Sequence, residues 1–259
     1  MTFQPQRLLF EGVDPAIAAT IDDFIDIRRD LHRHPELAFQ ERRTAGVIVR
    51  LLAGWGYEVT TGIGKTGVIA TLRHGGGTKA LAIRADFDAL PIREATGLSY
   101  MSENAGVMHA CRHDGHTTIL LAAAKRLAES GAFRGVLHLV FQPAEEIGGG
   151  AAALLKEGLF ERFPADAIFG LHNWPGLPAG QFAFVSGPAM ASVDSATVRV
   201  RGKGGHGASP HETIDPVVAA AHIITALQTV VSRNVNPLDA GVVTVASIHG
   251  GEAANVIPE

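Results

Sequence analysis

The sequence predicts an α/β protein in which a mostly parallel, twisted sheet flanked by helices occupies residues 1–187 and a smaller, incomplete α+β domain occupies 188–259. Three observations carry this. Short apolar runs with strand character alternate with amphipathic helical stretches, the pattern of a sheet covered on both faces. Residues able to bind metal or move protons gather where the apolar runs end, at the rim where open α/β sheets build their sites. Around Gly187-Pro188 the pattern changes to strands that alternate apolar and polar, as in a sheet with one wet face.

The elements follow in order. Asp14-Pro15 is a helix start, an N-cap followed by proline at the first helical position, and Ile17, Ile21, Phe24, Ile25, Ile27 and Leu31 keep helical spacing until His34-Pro35. A second helix covers 41–52 and ends at Gly54-Trp55-Gly56. Strands are expected at 57–60, 67–72 and 80–85. Gly75-Gly76-Gly77 between the last two is a turn and not a phosphate loop, because no helix follows it. The third strand runs into Asp86-Phe87-Asp88, two carboxylates spaced by two, for which turn chemistry is the plain alternative. A buried helix at 117–128, a strand at 135–141, a helix at 150–157 and a buried strand at 167–171 complete the larger domain. In the smaller one, strands at 192–201 and 241–248 flank a helix that begins at Asp215-Pro216.

The chemistry concentrates in His109-Ala110-Cys111-Arg112-His113-Asp114-Gly115-His116, which holds three imidazoles and the chain's one thiol. In an extended backbone Cys111 and His113 point the same way, roughly 6.5 Å apart at Cα, a span that divalent ions can bridge. A buried free cysteine beside surface histidines is the bland alternative. Two further segments bring ligand-type residues to strand ends: Gln142-Pro143-Ala144-Glu145-Glu146 and Gly170-Leu171-His172-Asn173. Consecutive residues of an extended segment point apart, so one of Glu145 and Glu146 is expected to bind metal while the other faces substrate.

Composition narrows the classes. With 259 residues, 46% of them hydrophobic, the chain can bury a large core. A net charge of -4 and no long basic run give no footprint for nucleic acid. A single cysteine forms no internal disulfide and fits a reducing compartment. Residues 1–6 lack the basic and apolar regions of a signal peptide, and no stretch reaches the ~18 apolar residues of a membrane span. The expectation is a cytoplasmic protein with no membrane partner.

The chain resembles the N-acyl-amino-acid amidohydrolases, the group of hippurate and auxin-conjugate hydrolases within the di-metal aminoacylase and glutamate carboxypeptidase superfamily. Arg29-Asp30-Leu31-His32-Arg33-His34-Pro35-Glu36 and the segments 84–91, 108–116, 142–146, 170–174 and 202–210 carry the likeness, in the family's order. The resemblance implies a zinc-peptidase-like catalytic domain with a lid or dimerisation domain, and cleavage of an amide between an acyl group and an amino acid. It implies two divalent ions, zinc or manganese with cobalt or nickel as alternatives, bridged by Cys111 and held further by His113, Glu146 and His172. Glu145 would be the general base, Asp86 and Asp88 would orient ligands, and His206 would reach the substrate. A homodimer through the lid domain is implied as well. His32, His34, His109 and His116 receive no role.

Two departures from the family stand out. Its members carry Gly where this chain has Arg112, a cation that could pair with Asp114 or displace the ligand loop. Members also continue further and supply one more histidine ligand. The resulting alternative to an active hydrolase is a fragment that binds metal or dimerises without turnover.

Overall fold

A computed structural model describes residues 13–259, so residues 1–6, which bear on the expected lack of a signal peptide, lie outside the described residues. The chain divides into two compact units, the first running to Ala183 and the second from Phe184 to Glu259.

In the first unit, helix α1 (Pro15–Arg33) begins at the expected position. Asp14 caps it by accepting the Ala16 N–H at 2.8 Å, and the other Asp14 oxygen accepts from Arg126 Nε at 2.6 Å. Helix α2 (Arg42–Gly54) precedes a hairpin of β1 (Glu58–Ile63) and β2 (Gly67–His74), then β3 (Ala80–Asp86), α3 (His113–Ser130), β4 (Gly135–Gln142), the short helices α4 (Gly150–Lys156) and α5 (Leu159–Arg162), and β5 (Ala167–Gly170). The five strands lie in the order β1-β2-β4-β3-β5. Both pairings of β3 are parallel and both pairings of β2 antiparallel, so the sheet is mixed. The tight connection between β1 and β2 forces the antiparallel half, because only a long crossover returns a strand in parallel. The strands that end at the site, β3, β4 and β5, are parallel.

Period-two alternation fills both faces. Val68 and Ala70 of β2 and Leu137, Leu139 and Phe141 of β4 pack with Ile48, Leu52, Leu120 and Leu121 of α2 and α3. The intervening Ile69 and Val140 pack on the opposite face with Leu154 and Leu159 of α4 and α5. Burial on both sides is why these strands read as continuous apolar runs.

Two expectations fail here. The strand ending at His172 was expected to be buried, but β5 is exposed along its length, with Phe169 62% accessible. It is the sheet's outer strand, paired on one side to β3. The helix expected at 117–128 begins earlier, at His113, which places His113 and His116 inside its first turns.

The second unit contains a two-residue ladder, β6 (Gly205–His206) with β7 (Val256–Ile257), and helix α6 (Pro216–Thr229), capped by Asp215 through the Val217 and Val218 N–H groups. The strands expected at 192–201 and 241–248 do not form among the described residues. Alternation supplies a strand with a face, but a ladder also needs a neighbouring backbone. By length and mean hydropathy alone one helical stretch among the described residues, Pro216–Asn234, could cross a membrane, but polar residues interrupt it well short of the ~18 consecutive apolar residues of a span. His222, Thr225, Gln228 and Ser232 recur along it at steps of three and four, so it is amphipathic.

Candidate metal centre

The register of the parallel strands sets the site. Asp86 lies opposite Gln142, and Arg84 opposite Gly170, so three strands deliver their carboxyl ends to one rim. Helix α3 starts at that rim and presents His113 and His116 one turn apart on the same side.

Each imidazole is gripped by an aspartate from the end of β3. Asp88 Oδ1 stands 3.2 Å from His113 Nδ1, and Asp86 Oδ1 stands 2.6 Å from His116 Nδ1. A carboxylate on Nδ1 fixes the tautomer; at His113 it leaves Nε2 unpartnered at the site, the arrangement found behind metal-binding histidines, whereas at His116 Nε2 accepts the Asn173 N–H at 3.0 Å. Asp86 and Asp88 therefore stand against the Nδ1 atoms of His116 and His113, and Asp86 also falls within a group that could hold an ion. Asp86 is fully buried. Burial opposes its ionisation, but the hydrogen bond from His116 and the cationic surroundings of His113 and Arg84 hold its carboxyl down at about 2. His113 is raised above the ordinary histidine range: burial works against the charged ring, and the Asp88 hydrogen bond and the charges of Asp86, Asp88 and Glu146 outweigh it.

Two groups of ligand atoms come within 4.8 Å of one another and share His113: Cys111, His113 and Glu146, and Asp86, His113, His116 and His172. Three of the four expected ligands form the first group. The fourth, His172, meets His113 ring to ring at 6.1 Å and His116 at 4.4 Å between centroids. Its Nδ1 is 2.6 Å from the Asn173 carbonyl, which leaves Nε2 uncommitted to that bond.

His113 Nε2 and Glu146 Oε1 are buried, have no hydrogen-bond partner among the described residues, and stand 3.7 Å apart. Two atoms bound to one zinc ion at a tetrahedral angle stand roughly 3.4 Å apart. Orphaned buried polar atoms are costly, and a cation between these two would satisfy both. The Cys111 thiol is pushed up to about 11 by burial and by the Glu146 carboxylate to which it donates, and Glu146 is itself raised, by burial first. A thiol and a carboxyl that crowd each other in this way fit a cation that would accept both.

The local conformations differ from the expected extended ones. Arg112 is left-handed, at φ 65° and ψ 35°, so Cys111 and His113 meet across a turn that starts α3. Asp114 pairs with Arg28 at 2.7 Å and with His32 at 3.0 Å, while Arg112 is exposed. A left-handed backbone costs a residue with a Cβ about 1–2 kcal/mol and glycine nothing, though glycine returns part of this as unfolded-chain entropy. Arg112→Gly is therefore expected to raise stability by about 1 kcal/mol, read as a higher urea midpoint; a lower midpoint would show that the arginine side chain has a compensating contact.

Glu145 and Glu146 do not point apart. Ala144 is left-handed, at φ 49°, and both carboxylates turn to the same nitrogen, with Glu145 Oε2 at 3.8 Å from His113 Nε2. Glu145 is 40% exposed and Glu146 16%, so Glu145 is the more open to solvent. His206 belongs to the second unit, where its Nδ1 accepts the Ala208 N–H at 3.1 Å. His116, given no role by the resemblance, lies one helical turn from His113 and joins the second group of potential ligand atoms while bonding Asp86 and Asn173.

Behind the site, His109 is buried with no partner for either ring nitrogen among the described residues, and burial pushes it down to about 4. The unfolded chain protonates this group near its ordinary value of 6.5, before the folded protein does. Stability is therefore lost as pH falls from about 6.5 to 4, by about 3 kcal/mol. His32, raised by Asp114, works in the opposite sense, since its contribution is complete below its ordinary value and fades as pH rises through its folded value. Comparing denaturation of the parent chain with His109→Leu isolates the first effect: the parent should lose about 3 kcal/mol more than the variant between pH 7 and 4, and parallel pH profiles would refute it.

The model of peptidase family M20/M25/M40 matches residues 82–257. Hippurate hydrolase of Campylobacter jejuni is 48% identical over 95% of this chain, and N-acetyl-L-cysteine deacetylase of Bacillus subtilis is 45% identical over 97%. The chain spans 64% and 60% of their respective lengths. Among solved structures, a putative aminohydrolase from methicillin-resistant Staphylococcus aureus superposes with a TM-score of 0.71 at 41% identity, covering 95% of this chain and 65% of that one. A dinuclear metal binding peptidase from Bacillus subtilis gives 0.67 at 39% identity, covering 95% and 62%.

Proposed function

The chain belongs to peptidase family M20/M25/M40, and we propose that it is a metal-dependent amidohydrolase that cleaves the amide bond of N-acyl or N-aroyl amino acids. The observation that carries the reading is the meeting of Cys111, His113 and Glu146 around two unpartnered ligand atoms, with the Glu145 carboxylate beside them.

Cys111, His113, Glu146 and His172 would hold two divalent ions, with His116 close enough to join or support them. Thiolate and imidazole donors suit zinc, and the carboxylates also admit manganese, cobalt or nickel. When bound, the ions supply Lewis acidity that activates water and polarises the amide carbonyl. Glu145 accepts the proton of the attacking water at its carboxylate and returns it to the leaving amine nitrogen. Asp88 and Asp86 hold the imidazoles in the tautomers that this arrangement needs. On the resemblance alone, His206 is assigned to the substrate, and a homodimer formed through the second unit is the expected assembly.

The test is release of free amino acid from a panel of N-acetyl, N-benzoyl and dipeptide substrates by chain stripped with EDTA and reloaded with zinc or manganese. Metal-dependent release from the acylated amino acids supports the proposal, and metal uptake without release from any substrate overturns it. The latter outcome is the second reading, metal binding or self-association without turnover, which the accessible apolar residues Ile168, Phe169 and Trp174 along and after β5 favour. Light scattering on the same samples reads the assembly.

A further inference from the structure

Glu41 is fully buried and stands just before α2, where a side chain ordinarily caps the first N–H groups of the helix. It does not cap them. Glu36 does so instead, accepting from the Arg43 N–H at 2.9 Å and the Thr44 N–H at 2.8 Å. Glu41 reaches a segment 103 residues away: Oε1 accepts the Ala144 N–H at 2.9 Å, and Oε2 accepts the Thr66 hydroxyl at 2.6 Å. Burying a carboxylate is expensive unless its oxygens are satisfied, and the N-terminus of α2 offsets part of that cost.

The amide that Glu41 holds belongs to left-handed Ala144, which leads directly into the turn that carries both site carboxylates. The same residue is gripped from its other side, because the Ala144 carbonyl accepts the Gly150 N–H at 3.0 Å and the Gly149 N–H at 3.3 Å. Gly150 passes so close that a Cβ there would lie 1.6 Å from the Pro143 carbonyl oxygen. A conformation that alanine rarely adopts is thus held by hydrogen bonds at both ends and by a glycine with no room for a side chain.

We propose that Glu41 is a positioning residue for the metal centre: its buried carboxylate holds the left-handed turn at Ala144 and so fixes where the Glu145 and Glu146 carboxylates stand relative to His113. The proposal rests on the metal-centre reading above, and its test separates the two. Co(II) is titrated into metal-stripped chain and followed by the thiolate-to-cobalt absorption, and hydrogen exchange of residues 142–150 is measured without metal. Glu41→Ala should bind Co(II) about 10- to 100-fold more weakly and exchange faster over 144–150. Glu41→Gln, whose amide can still accept from Ala144 and donate to Thr66, should behave nearly as the parent. Adding Ala144→Gly to Glu41→Ala should restore part of the affinity, since glycine adopts the turn unaided; a role in general stability alone predicts no such rescue. If Glu41→Ala does not fold, Glu41→Asp, which withdraws the same charge by one methylene, should give the same pattern. Parent-like affinity and exchange in Glu41→Ala, or no rescue by Ala144→Gly, overturn the proposal. A parent chain that takes up no Co(II) defeats the metal reading, and the exchange rates still decide for Glu41: faster exchange confined to 144–150 supports it, unchanged exchange refutes it.

Discussion

Glu145→Gln is expected to lower the rate of the proposed amide hydrolysis about 100- to 10,000-fold and to leave metal affinity within about threefold of the parent. The amide is nearly the same size as the carboxylate but accepts no proton from water at neutral pH, so the loss falls on kcat with KM little changed. Glu146→Gln behaves differently. Its carboxylate oxygen is the orphan facing His113 Nε2, and a neutral amide there should weaken metal binding by more than about a hundredfold. Saturating metal should then recover part of the activity of Glu146→Gln and none of that of Glu145→Gln. The reverse pattern would exchange the two roles. This contrast is informative because both carboxylates lie at nearly equal distances from one nitrogen, 3.8 and 3.7 Å, while Glu145 is the more exposed and Glu146 accepts from the Cys111 thiol.

The sequence exposes the site's composition better than its geometry. Asp86, Glu146 and His172 are legible because β3, β4 and β5 are apolar runs with abrupt polar ends that parallel register brings to one rim, and Cys111 because it stands in the dense His-Cys segment just before α3. The directions of the side chains are another matter. They depend on Arg112 and Ala144, both left-handed without being glycine, and nothing in the local sequence announces a left-handed arginine or alanine. An extended backbone gives the same ligand list with Glu145 and Glu146 pointing apart, where the structure has them converge. The exposure of β5 escaped for a related reason, since an apolar edge strand and an apolar central strand read alike. Partners distant in sequence were equally hidden: Glu41 meets Ala144, and His32 meets Asp114, through contacts that no motif spacing encodes.

The second large effect is on metal affinity as a function of pH. The Cys111 thiol, pushed up to about 11, donates to a Glu146 whose own carboxyl is raised, so the two share a proton that a cation must displace. A ligand that is protonated in the free protein and deprotonated in the complex releases its proton on binding, and affinity rises with pH until the free thiol ionises unaided. Below about pH 11 that gives close to tenfold in affinity per pH unit, or about a thousandfold between pH 6 and 9. His113 adds to the slope at the acid end, because its raised imidazole must also lose a proton before Nε2 can bind. Calorimetric titration with zinc in buffers of different ionisation enthalpy counts the protons directly: the thiol should release about one per chain at pH 9, and the total should be larger at pH 6. Cys111→Ser keeps the same trend if the thiol is a bystander and loses both affinity and proton release if it is a ligand. A parent chain whose zinc affinity is flat between pH 7 and 9 would show that Cys111 stays protonated beside the ion, and would leave His113, Glu146 and His172 to hold it without the thiolate.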